Sequence, residues 1–337
     1  MRLCSTLVLF CGSIALAACG QGRSDPVGDA ETAFAQQDYI AAHKLALEEI
    51  SRDAGDVEAL AVLARSQIAM GRGAEALVAL RRLQSPNARP GDFALLRAEA
   101  LLQQGDVKGA RKALGATRSA DAWRLRALAA VLQNRPEVAA AAFAQGAKAD
   151  GDKGRLFAAE ASWHLAKGRL AEAGTAVANA QRVAPERIET LFTAARLAEA
   201  RGDELLALSN YLRITEKVPA DRPALLAAIG AAERSGRPKI SRHLIAYGFS
   251  KWPDDREFIY QRARVEAWDG DWPAVRSRLQ ANEPKLRDHA PARLLYAEAL
   301  LNLGQIELAR ALVVPIHTRN PSDAQAKSLY ERIASAS

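Results

Sequence analysis

Cysteine is nearly absent from this chain: three in 337 residues, at positions 4, 11 and 19. So few thiols exclude a disulfide-stapled scaffold. Aromatic residues make up only 6%, so the core has to be built from small aliphatic side chains. The apolar run from Leu7 to Ala18, broken by Gly12 and Ser13, falls short of the ~20 residues that a membrane-spanning helix needs. There is no GxGxxG, no phosphate-binding P-loop and no GxSxG esterase elbow. His43, His164, His243, His289 and His317 lie far apart, and none sits in an HExxH spacing. Carboxylate pairs such as Glu48-Glu49 and Asp254-Asp255 fall where solvated charges are ordinary. These absences point to a protein that is not an enzyme, with no cofactor and no metal site.

What is present is the balance of an ordinary soluble protein: 49% hydrophobic and 25% charged residues, with a net charge of +7. The densest basic patch, Arg234, Arg237, Lys239 and Arg242, follows a single turn and reads as a solvated hairpin tip, with a face for anionic lipid, lipopolysaccharide or an acidic polymer as the alternative. The opening MRLCSTLVLFCGSIALAACG has one basic residue, a short apolar stretch and small residues at its end. That is the layout of a secretory signal peptide. Its last four residues, Leu16-Ala17-Ala18-Cys19, resemble the bacterial lipoprotein box, which implies residues 1–18 as the leader and Cys19 as the acylated first mature residue. A plain signal peptide with Cys19 incidental is the alternative. Gly20, where aspartate would signal retention on the inner membrane, implies the periplasmic face of the outer membrane. Residues 19–29 then form a lipidated tether rich in glycine and polar residues. Nucleic acid is not an expected partner for such a location.

One period organises the rest. Breaks in the helical pattern fall at Gln37, Gly71, Gly105, Asn134, Gly168, Gly202, Gly236, Gly270 and Gly304, every step being 34 residues except one of 29. Seven residues before the break stands alanine in eight of nine cases, with Ile229 the exception. Five residues after it stand alanines again, apart from Ser241 and Val275. Seventeen after it, Pro185, Pro219, Pro253 and Pro321 close four units. Physically this is a repeated helical hairpin. Glycine at the break takes the left-handed backbone that ends a helix. The two small positions mark where paired helices cross, and proline ends the second helix.

A 34-residue helix-turn-helix with these offsets resembles the tetratricopeptide repeat. The resemblance implies an all-α, right-handed superhelical solenoid over residues 30–337. It would comprise about nine units, with a polar capping helix at 322–335 started by Ser322 and burying Ala326, Leu329, Tyr330 and Ile333. The 29-residue step predicts a short loop near residues 115–120. In this family the first helix of each unit lines a concave groove, with contact positions about six and ten residues before the turn. On these positions stand Arg65, Arg196 and Arg264, and Arg124, Phe192 and Tyr260, with Trp268 two before Gly270. Phe192, Arg196, Tyr260, Arg264 and Trp268 are expected to share one face. Aromatic and arginine side chains of this kind suit a polypeptide partner. Trp123, Trp163 and Trp272 are expected between helices. The resemblance implies a scaffold for envelope proteins in assembly or secretion (pilus, outer-membrane protein or exopolysaccharide export). A glycan-binding protein stacking sugars on Tyr260 and Trp268 is the alternative.

Overall fold

The computed structural model describes residues 26–83, 89–219 and 221–336. The expected leader and Cys19 lie outside the described residues. Among the described residues twenty helices follow one another and there is no strand. Nine antiparallel hairpins are formed by α1 (Pro26–Ala35) and α2 (Tyr39–Arg52), α3 (Val57–Ala69) and α4 (Gly73–Arg82), α5 (Phe93–Gln103) and α6 (Val107–Leu114), α7 (Ala120–Leu132) and α8 (Pro136–Lys148), α9 (Gly154–Ala166) and α10 (Leu170–Val183), α11 (Ile188–Ala200) and α12 (Glu204–Lys217), α13 (Arg222–Arg234) and α14 (Pro238–Lys251), α15 (Arg256–Trp268) and α16 (Trp272–Ala281), and α18 (Ala290–Asn302) and α19 (Ile306–Arg319). The one-turn α17 (Glu283–Leu286) is inserted after α16, and α20 (Ala324–Ser335) closes the stack. The helix α1 begins inside the stretch expected to be tether.

The nine breaks share one geometry. Each break residue has positive φ, including Gln37 at +66° and Asn134 at +52°. The residue after it donates its N–H to the carbonyl five back, at 2.7–3.0 Å, as Asp106 does to Leu101 and Gln305 to Leu300. This is the bond that satisfies an orphan carbonyl at a helix end. Where aspartate follows the break it also starts the next helix. Asp38, Asp106, Asp203 and Asp271 each accept a backbone N–H from three residues on, at 2.8–3.1 Å. The four prolines each stand two residues beyond the last residue of a second helix. All eighteen of these positions are at most 1% exposed, and at the fifteen that are alanine a single methyl fixes how closely the paired helices approach.

Two local expectations are corrected. The 29-residue step does not shorten a loop. It shortens α6, which has eight residues where α8, α10 and α12 have thirteen or fourteen. Gly115 then turns the chain with φ +48°. At the C-terminus the cap of α20 is Asp323, whose carboxylate accepts from Ala326 N–H at 2.9 Å, and not Ser322. Ala326, Leu329 and Ile333 are buried as expected, but Tyr330 is exposed and its ring stacks on His317.

Candidate binding groove

The first helices of successive units face a common surface. One wall of a cavity of about 450 Å³ is supplied by Glu99 of α5, Arg124 of α7, Arg155 and Ala158 of α9, and Phe192 and Arg196 of α11. Arg65, Arg124 and Arg155 do not wait for a partner, because carboxylates of other units already hold them. Arg65 reaches Asp92, the N-cap of α5, through two bonds of 2.9 Å. Arg124 is 4% exposed, with two nitrogens on Glu99 at 3.1 and 2.7 Å and its Nε on Asp121. Arg155 pairs with Glu99 as well and approaches Glu189 at 3.6 Å, so four units share one network. Burial works against ionisation of Glu99 and Asp121, but Arg124 and Arg155 outweigh it and hold both carboxyls below their usual range.

The same logic continues towards the C-terminus. Arg222 grips Asp255 at 2.8 and 3.0 Å, and Arg264 grips Glu233 at 3.1 and 2.9 Å. His289 caps α18 by accepting from Ala292 N–H on Nδ1, and its Nε2 lies 3.1 Å from Glu257. Donation from Nε2 to Glu257 completes that arrangement. The basic patch follows suit. Arg234 reaches Glu199 and Glu204 of the preceding unit, and Arg242 reaches Asp269 of the following one.

Trp268 is the exception among the large side chains near the groove. At the last turn of α15 it remains 42% exposed. The guanidinium of Arg264 stands 5.0 Å from its ring centre and that of Arg242 5.6 Å, within cation–π range. Glu233 and Pro238 complete a depression of about 400 Å³ beside it. Tyr260 joins through Arg264, 5.8 Å from its ring, but packs mainly on the core and on His289.

A tetratricopeptide repeat family model matches residues 279–333. The chain is similar in structure to a chain of the APC/C hetero-tetramer Cut9-Hcn1, at 12% identity and a TM-score of 0.53, over 91% of this chain and 55% of that one. It is similar to the human IFIT1 dimer with PPP-AAAA, at 13% identity and a TM-score of 0.50, over 92% of this chain and 72% of that one. A tetratricopeptide repeat protein from Parabacteroides merdae matches at 15% identity and a TM-score of 0.46, over 72% of this chain and 98% of that one. The fold is that of the tetratricopeptide repeat. This chain therefore spans little more than half the length of the first of those structures. No curated protein matches the sequence.

Within this TPR solenoid the seven expected groove residues fall into three groups. Tyr260, Arg264 and Trp268 form one cluster with Arg242. Phe192 and Arg196 line the separate cavity near the middle of the chain, Phe192 edge-on to Tyr211 with ring centres 5.5 Å apart. Among the described residues Arg196 has no carboxylate within ion-pairing distance, and it is exposed. The expectation that Arg124 meets a partner is corrected. It is a buried brace between units, and Arg65 is likewise committed to Asp92. Trp163 is buried, and Trp123 and Trp272 pack against cores between units. Among the described residues no group of His, Cys, Asp and Glu is placed to hold a metal ion. Sequence reading missed the carboxylate partners, Glu99, Glu233 and Asp269, and it missed Arg242 as a neighbour of Trp268. Arg242 stands 26 residues before Trp268, on the preceding unit, at no fixed family position. A further hollow of about 400 Å³ between α16 and α18, lined by Leu279, Leu286, Arg293 and Tyr296, arises from the inserted α17.

Proposed function

We propose that this protein is a lipid-anchored scaffold of the cell envelope, without enzymatic activity, that binds polypeptide segments of assembly or secretion machinery. A TPR solenoid offers surfaces suited to protein–protein interaction, and the coarse reading rests on that fold. The observation that carries the finer one is Trp268: a large ring left 42% exposed but held by two guanidiniums that are themselves clamped by Glu233 and Asp269. A ring held in this way loses little freedom on binding, which is the economy of an interface anchor. The guanidiniums over the indole compete with a sugar for its faces, which favours a polypeptide over a glycan. The Leu16–Cys19 box and Gly20 support anchoring at the periplasmic face of the outer membrane.

The test is a crosslinking pull-down of full-length protein from its own envelope, read by mass spectrometry, with Trp268→Ala and Cys19→Ser beside it. A defined set of envelope proteins should be recovered. It should fall about thirtyfold with Trp268→Ala, the effect of losing an anchor worth ~2 kcal/mol, and disappear with Cys19→Ser. Unchanged recovery with Trp268→Ala refutes the site. Recovery of glycan without protein refutes the polypeptide reading.

A further inference from the structure

The turn of the first unit lies against the groove face of the sixth. Seven of the nine break residues are glycine, but the first is Gln37, held at φ +66°. Glutamine takes that backbone at a cost that glycine avoids. Its side chain supplies the reason. Gln37 Oε1 accepts a hydrogen bond of 2.8 Å from the backbone N–H of Ile188, 151 residues away. Ile188 is the first residue of α11, so that N–H has no acceptor within its own helix. Two residues beyond Gln37, Tyr39 borders two cavities at once. It shares one of about 570 Å³ with Arg65, Leu96 and Arg187, and the other with Ala158, Phe192 and Arg196. Burial raises the Tyr39 phenol above its ordinary range, and Glu189 of α11 raises it further.

We propose that the α1–α2 turn is a latch: Gln37 and Tyr39 engage the N-terminal end of α11 and hold the groove of units two to six closed, and the groove opens when the latch releases. This rests on the contact itself and not on the reading of Trp268. Elsewhere among the described residues the helices of each unit pack chiefly on those of its sequence neighbours, as a solenoid requires, and only side-chain pairs such as Arg155–Glu99 reach past one unit, so this contact can be lost without dismantling any hairpin.

Hydrogen–deuterium exchange of the full-length protein tests it, with Gln37→Gly and Gln37→Asn compared with wild type. Glycine suits the turn backbone better and removes the acceptor. Asparagine keeps the amide and tolerates the backbone, as Asn134 does, but is one methylene too short. Tyr39→Ala removes the ring by a separate route. In wild type the peptide covering the start of α11 should exchange more slowly than the equivalent first turn of α13. All three variants should lose that protection and expand in small-angle scattering, while exchange in α13–α20 stays unchanged. Unchanged exchange at α11 in Gln37→Gly overturns the latch. So does loss of protection spread through the whole solenoid, which would make the turn a structural brace.

Discussion

Arg124 shows what a charged side chain does when its unit has neighbours on both sides. Alone on a helix it would be a surface cation. Stacked, it is enclosed between Glu99 of the preceding unit and Asp121 of its own. Removing one member of such a buried set leaves the other charge without compensation, a loss of ~3–5 kcal/mol. Glu99→Ala should therefore lower the denaturant midpoint sharply, whereas Glu331→Ala on the exposed face of α20 should change the unfolding free energy by less than ~0.5 kcal/mol. The pH dependence has a definite sign. Glu99 and Asp121 have folded-state values below their ordinary 4.5 and 3.8. Their contribution is fully present above those values and is lost as pH falls through the lower, folded ones. Wild type should lose stability progressively below about pH 4.5 in thermal melts, with Glu99→Ala showing a shallower slope. Equal slopes would mean that the network does not report on folding.

At the scale of the element, what could be read from sequence was what a helix decides locally. Gly71 or Gly270 ends a helix because of its own backbone, and Ala64 or Ala110 sits at a crossing because of its own size. The groove was less legible for an equally physical reason. A position six before the break says which face Arg65 or Arg264 occupies. It does not say whether a carboxylate waits on the next unit, and the partners found stand 27 and 31 residues away, on opposite sides in sequence. Helix close approach likewise needs two elements to be seen. Gly248, twelve residues after its break, lies where an added Cβ would collide with the ring of Phe258, itself fully buried and stacked on Trp252. Gly230, in the middle of α13, meets only the flexible end of Arg234 at 3.1 Å. Gly248→Ala should cost ~1–3 kcal/mol through overpacking, although alanine is the better helix former. Gly230→Ala should gain up to ~1 kcal/mol from propensity alone. Chemical denaturation of the two variants checks both signs. Destabilisation by both would show that Arg234 cannot give way and that α13 is as closely packed at Gly230 as α14 is at Gly248.

At the scale of the whole molecule, the solenoid has no central core that every unit shares. Its buried side chains form a succession of clusters, each joining neighbouring hairpins, and the last joins Leu294, Leu300 and Val313 to Leu329 and Ile333 of α20. Stability is then close to a sum of unit and interface contributions, and an end unit without a polar cover is a liability. Deleting residues 322–337 would leave Leu294, Leu300 and Val313, all at most 2% exposed in the complete chain, without that cover. In a shared-core domain such a cut would weaken everything. Here the expected outcome is confined: faster amide exchange in α18 and α19, unchanged exchange in α1–α12, and concentration-dependent association in light scattering as bare apolar faces meet. Faster exchange in α1–α12 would show that the nine units fold as one cooperative body. The Gln37–Ile188 contact, which ties the first unit to the sixth, would then carry part of that cooperativity, and the protection lost at the C-terminal cut would extend to the start of α11.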